Sequence, residues 1–131
     1  MLYFAVVAAA TFNLVCTGTV EKTNYNGSTT RPYSTTYRVD TSAQLWCIDD
    51  EQDCKTPEKL KNLNAAYITF IDATTDTPQE YFRYVESVSR ETGKHQVLIQ
   101  SGRDASLILE TRRGVCEVAP FSGFPKAIQK F

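Results

Sequence analysis

Three glycine-marked turns constrain this chain more than any other feature. Asn26-Gly27, Thr92-Gly93 and Ser101-Gly102 separate segments rich in Thr, Val, Ile, Tyr and Phe, the residues that fit a pleated, half-buried surface. Connections this short leave no room for a crossover helix, so neighbouring segments pair antiparallel. The expected strands run near Phe12 to Lys22, Thr35 to Asp40, Gln44 to Ile48, Tyr67 to Asp72, Phe82 to Arg90, His95 to Ser101 and Ser106 to Arg112. Asn-Gly is the favoured centre of a type I′ hairpin, which places a turn at Asn26-Gly27, and Pro32 then breaks the following strand or holds it at an edge. The fold expected is all-β, an antiparallel meander of about six to eight strands curled into a small barrel or sandwich.

Two stretches compete with this pattern. Thr77-Pro78-Gln79-Glu80 carries a helix-start signature, and Tyr81, Phe82, Val85 and Val88 follow at near-helical spacing. Phe82, Tyr84 and Val88 also share one face at period two, and the Thr92-Gly93 turn leads directly into Val97-Leu98-Ile99, which favours a strand. Thr56-Pro57-Glu58 reads as the start of one or two helical turns ending near Asn64.

A length of 131 residues, 42% of them hydrophobic, suits a single domain over residues 11–131. Fourteen Lys and Arg balance fifteen Asp and Glu to a net charge of -1, so no broad field attracts nucleic acid. No apolar run approaches the roughly 20 residues of a membrane span. Residues 1–10, MLYFAVVAAA, read as a signal peptide ending in the small-x-small pattern Ala8-Ala9-Ala10, with Thr11 first in the mature chain. The competing reading makes them an apolar first segment of the fold, because no Lys or Arg precedes the apolar stretch and Leu2 to Val7 is short for a signal core. Export places the protein in the periplasm or outside the cell; the competing reading leaves it cytoplasmic.

Four cysteines in so short a chain fit two disulfides in an oxidising compartment. Three pairings are open. Cys47 and Cys54 flank one short acidic loop and read as a local bridge, which leaves Cys16 and Cys116 to tie the first and last strands.

Motifs for chemistry are sparse. Asp49, Asp50, Glu51 and Asp53 crowd the Cys47–Cys54 loop, but a calcium loop starting at Asp49 requires Gly at 54 and Glu at 60, where the chain has Cys54 and Leu60. Cys47 and Cys54 stand too far apart for the usual zinc-ligand spacing, so no metal is expected. His95 reads as an exposed or half-buried sheet residue without a nucleophile partner, and Arg112-Arg113 as a solvated strand end. No catalytic or cofactor-binding residue is expected, and an enzyme is disfavoured. Asn26-Gly27-Ser28 matches the N-glycosylation pattern, but the turn accounts for these residues.

Several stretches together resemble small uncharacterised bacterial proteins, many with export-like starts. They are Phe12-Asn13-Leu14-Val15-Cys16-Thr17-Gly18, Tyr37-Arg38-Val39-Asp40 leading to Trp46-Cys47 and Cys54, Val88-Ser89-Arg90-Glu91-Thr92-Gly93, and Gly114-Val115-Cys116 through Ala119-Pro120-Phe121 to Phe124-Pro125 and Phe131. The resemblance covers most of the chain after residue 11 and implies a cysteine-containing β fold, with no function attached.

The functional expectation is a non-enzymatic periplasmic or secreted binding or interaction domain whose partner is a protein or a small molecule. One alternative is a lipocalin-like carrier of a small apolar ligand, with Tyr and Phe lining a cavity. Another is an inhibitor of an extracytoplasmic hydrolase that presents the acidic Cys47–Cys54 loop.

Overall fold

Alternation along the first strand sets the inside and outside of the molecule. In strand β1 (Thr11–Asn24), Leu14, Cys16 and Val20 are buried while Val15, Thr17, Thr19 and Glu21 are exposed, a period-two pattern that only a half-buried strand satisfies. The computed structural model describes residues 10–125 and carries this pattern through one antiparallel sheet. The further strands are β2 (Gly27–Asp40), β3 (Leu45–Ile48), β4 (Glu58–Lys59), β5 (Asn62–Leu63), β6 (Tyr67–Asp76), β7 (Tyr81–Ser89), β8 (Lys94–Ser101) and β9 (Ile108–Ala119). Their spatial order is β4-β3-β2-β1-β9-β8-β7-β6-β5, with β1 and β9 side by side at the centre. The all-β antiparallel expectation holds, with nine strands among the described residues in place of six to eight. The expected signal segment lies outside the described residues except for Ala10, whose carbonyl accepts the Thr41 amide.

The sheet curls into a half-barrel because its two edges are tied by one segment. β4 pairs with β3 and β5 pairs with β6, while the Leu60 and Lys61 amides between them donate to the Gln44 and Thr69 carbonyls at 2.8 and 2.9 Å. The helical turns expected from Thr56 to Asn64 are therefore absent. Helix would take these amides away from the two edges, whereas extended chain places Leu60 under the core. A short 3-10 turn, Asp53–Lys55, is the nearest local helix.

Aromatic packing fills the closed end. Tyr37 stacks on Phe70 with ring centroids 4.4 Å apart, and Trp46 of β3 meets the same ring at 4.9 Å, joining strands far apart in the sheet order. Leu14, Val39, Leu60, Ile68 and Val88 complete this core. A bulge in β6 places Phe70 between Thr69, opposite Ser87, and Ile71, opposite Glu86. The extra residue breaks the plain alternation of Tyr67 to Ile71 and brings Phe70 under Tyr37.

Other local readings shift in informative ways. The first hairpin closes between Asn24 and Gly27, so its loop is Tyr25-Asn26 and only Gly27 takes a positive φ, +131°. Pro32 sits inside β2, opposite Thr19, where among the described residues β2 has no partner on its other side and the missing N–H costs no second ladder. The helix-start signature at Thr77–Glu80 closes the β6–β7 hairpin instead, with the Glu80 amide donating to Thr77 Oγ1 at 3.0 Å. β7 is a strand, as its period-two face requires.

After β9, residues 120–125 fold back over the outer face of the sheet. Asn13 donates to Ser122 Oγ at 2.6 Å, Arg38 donates to the Gly123 carbonyl at 2.8 Å, and Phe121 meets Phe124 edge to face.

Candidate functional site

The half-barrel interior is not uniformly apolar. One transverse row across the sheet reads Tyr33, Gly18, Gly114, His95, from β2 through β1 and β9 to β8. Two glycines in the middle leave a trough, and Tyr33 reaches along it so that its hydroxyl meets His95 Nδ1 at 2.7 Å. His95 is 1% exposed, a correction to the expectation of a surface or half-buried residue. Its other nitrogen, Nε2, lies 2.9 Å from the Tyr37 hydroxyl, which donates to Glu86 Oε2. Tyr84 donates to the second Glu86 oxygen at 3.0 Å.

These contacts run in one direction. Tyr37 has a single proton, and donating it to Glu86 makes the Tyr37 oxygen an acceptor for the His95 Nε2–H. Nδ1 then accepts from Tyr33. The chain Tyr33 to His95 to Tyr37 to Glu86 gives every member a partner, which a buried carboxylate and imidazole require. Burial raises the Tyr33 phenol above the ordinary tyrosine value; Arg112 opposes the rise and Glu86 adds to it. Burial likewise raises Tyr84, with Arg112 opposing and Glu110 and Glu58 adding. Both phenols therefore stay protonated, as donors, through the physiological range.

Beside the network lies an open pocket of about 430 Å³. Tyr84, Glu86 and Arg112 are among its charged and hydrogen-bonding groups, with Asp49, Tyr37 and the Ser34–Thr36 run beside them, and Ile48, Val97 and Ile99 form its apolar wall. Tyr33 and His95 are not part of its lining. Arg112 contacts Glu110 through Nε and Nη2, both 2.8 Å from Oε2, and its guanidinium lies 5.7 Å from the centre of the Tyr33 ring. Arg112 thus points into the barrel, not into a solvated strand end. With about a third of its side chain exposed, it keeps donor capacity facing the pocket.

The four cysteines form two disulfides, Cys16–Cys116 and Cys47–Cys54. Cys16 and Cys116 are directly opposite on β1 and β9, so the chain's first and last strands are joined at the sheet's centre. The second bridge fixes the acidic loop at the pocket's rim, where Ile48 and Asp49 contribute to the lining. The loop's carboxylates are mostly engaged with their own surroundings. Asp53 accepts the Ile48 amide, Asp50 accepts the Gln52 and Asp53 amides, and Asp49 and Glu51 accept from Arg38 at 2.6 and 3.1 Å. The Asp49 hydrogen bond is the largest influence raising the Arg38 pKa, and it acts against burial.

Sequence reasoning missed the pocket because its groups come from five strands, β2, β3, β7, β8 and β9, far apart along the chain. The available signal was the inward parity of Tyr84, Glu86, His95 and Arg112, each on the apolar-facing register of its strand. Among the described residues, no helix is long and apolar enough to cross a membrane. Comparison with protein-family models, with curated proteins and with solved structures finds no match for this chain.

Proposed function

We propose that this protein is a non-enzymatic binding domain, exported to the periplasm or the cell exterior, that takes a small polar ligand into the mouth of the half-barrel. The observation that carries this reading is the convergence of Tyr84, Glu86 and Arg112 on one open pocket of about 430 Å³ with an apolar wall of Ile48, Val97 and Ile99. A fully apolar ligand would cover these donors and acceptors without pairing them, a cost of about 1–3 kcal/mol per group. A ligand with an acceptor for Arg112, a donor for Glu86 and a short hydrocarbon portion satisfies all of them. Two disulfides support the oxidising compartment.

Saturation-transfer NMR with matched polar and apolar fragments tests the reading. Polar fragments bind wild-type protein and are lost in Ile99→Trp, which fills the pocket, while the sheet spectrum of the variant is unchanged. Preference for the apolar set, or undiminished binding by Ile99→Trp, overturns it.

A further inference from the structure

We infer that the reduced form of this protein holds a thiophilic d10 cation, Zn2+, between Cys16, Cys116 and His95. The central disulfide thereby becomes one of two mutually exclusive states of a single site. This inference is independent of the pocket reading, since none of the three residues lines the pocket.

Three adjacent strands supply the ligands. Cys16 is on β1, Cys116 opposite it on β9, and His95 on β8, and one ligand atom from each lies within 4.8 Å of the others. All three side chains are buried. In a tetrahedral site with Zn–S near 2.3 Å and Zn–N near 2.0 Å, sulfur and nitrogen stand about 3.6 Å apart and the two sulfurs about 3.8 Å. The imidazole therefore has to close by no more than about 1 Å to reach ligating range. The two sulfurs need only part by side-chain rotation once their bond is broken.

The surroundings of His95 match what a metal-bound imidazole requires. Both ring nitrogens lie against tyrosine hydroxyls, Tyr33 at Nδ1 and Tyr37 at Nε2. Nδ1, which carries no proton, turns to the cation and gives up Tyr33, while Nε2 keeps donating its N–H to the Tyr37 oxygen, the outer contact that fixes ring orientation at metal sites. Two thiolates and one neutral imidazole are a soft-to-borderline set suited to Zn2+ and unsuited to Ca2+ or Mg2+. The fourth position is left to water or a ligand.

Conversion balances as follows. A dithiol reductant attacks the sulfur of Cys116, the more exposed of the pair at 8% against 0%, and closes its own disulfide. Two electrons and two protons pass to Cys16 and Cys116, giving two thiols. Zn2+ then displaces both thiol protons to solvent.

The test uses Cys47→Ser/Cys54→Ser protein, so that only the central pair remains, reduced anaerobically with a phosphine that becomes the phosphine oxide using oxygen from water. Co2+ serves as the spectroscopic probe and Zn2+ as competitor. The expected result is one Co2+ per chain with thiolate-to-cobalt charge-transfer and tetrahedral d–d bands, displaced by Zn2+, and no bands in oxidised protein or after Cys16→Ser/Cys116→Ser. His95→Gln weakens binding by at least about tenfold, the lower end of losses seen on perturbing a zinc site. If reduction abolishes the sheet spectrum, stoichiometric Zn2+ must restore it, since binding then drives folding. Absence of bands with the sheet intact, failure of Zn2+ to restore a lost sheet, or binding indifferent to His95→Gln overturns the inference.

Discussion

Gly18 and Gly114 face each other across the β1–β9 ladder, and their missing side chains are what allow Tyr33 to reach His95 across two strands. A Cβ on Gly114 would overlap the Thr17 carbonyl and the Tyr33 hydroxyl, and one on Gly18 would overlap the Arg113 carbonyl. Gly114→Ala should therefore both shift backbone and break the Tyr33–His95 contact. We expect a loss of about 1–3 kcal/mol, the range for overpacked interiors, read as a lower denaturation midpoint at unchanged slope. A stability equal to wild type would mean that the strands stand further apart than described.

The two disulfides close loops of very different length, with sequence separations of 100 and 7 residues. In the chain-entropy picture the long bridge is worth about 4.7 kcal/mol and the short one about 2.4 kcal/mol. Cys16→Ser/Cys116→Ser should accordingly lower the thermal midpoint more than Cys47→Ser/Cys54→Ser. The reverse order in calorimetry under metal-free conditions would show that the acidic loop holds more of the fold than its contacts indicate.

Much of the fold was legible and much of the site was not, for a physical reason. Strand identity depends on local alternation and turn chemistry, which is why β1, β7 and β8 could be read from residues near one another in sequence. The cysteines around the acidic loop likewise announce a short bridge. His95, by contrast, is buried by Tyr33, Tyr37 and the glycine trough, all more than fifty residues away along the chain for the tyrosines. Thr77–Glu80 and Thr56–Glu58 offer helix starts that the sheet overrides, because their amides meet hairpin and edge partners.

Burial raises the Tyr33 and Tyr84 phenols above the ordinary value of 10.0. A phenol with a raised folded pKa keeps more protons in the folded state, so its stabilising contribution is complete below the unfolded pKa and disappears as pH climbs through the folded one. Stability should fall above about pH 10, with the tyrosinate absorbance of Tyr33 and Tyr84 rising together with loss of the sheet spectrum. Tyr33→Phe should shrink that rise; an alkaline titration unchanged by Tyr33→Phe would contradict the buried hydroxyl network.

Arg38 is an outward residue of β2 that binds three things at once: Asp49, Glu51 and the Gly123 carbonyl. Arg38→Met should free both the acidic loop and the tail. Because Glu51 is largely exposed and can rehydrate, the cost should be modest, about 1–2 kcal/mol. Faster amide hydrogen exchange at residues 49–52 and 121–124, with β8 unchanged, is the expected signature. Unchanged exchange at both segments would show that the phenylalanine pair and the disulfide hold them without help.

The central claim is that the mouth of the half-barrel is the binding surface. An amide-detected NMR titration with a polar fragment tests it most directly, since it reports where the ligand sits as well as whether it binds. The account predicts shifts that cluster on Ile48, Tyr84, Glu86, Ile99 and Arg112, weakened by Glu86→Gln and by Arg112→Met and abolished by Ile99→Trp. Shifts confined to the outer face around Ser122, or to the loop from Asp50 to Asp53 with the barrel residues silent, would contradict it.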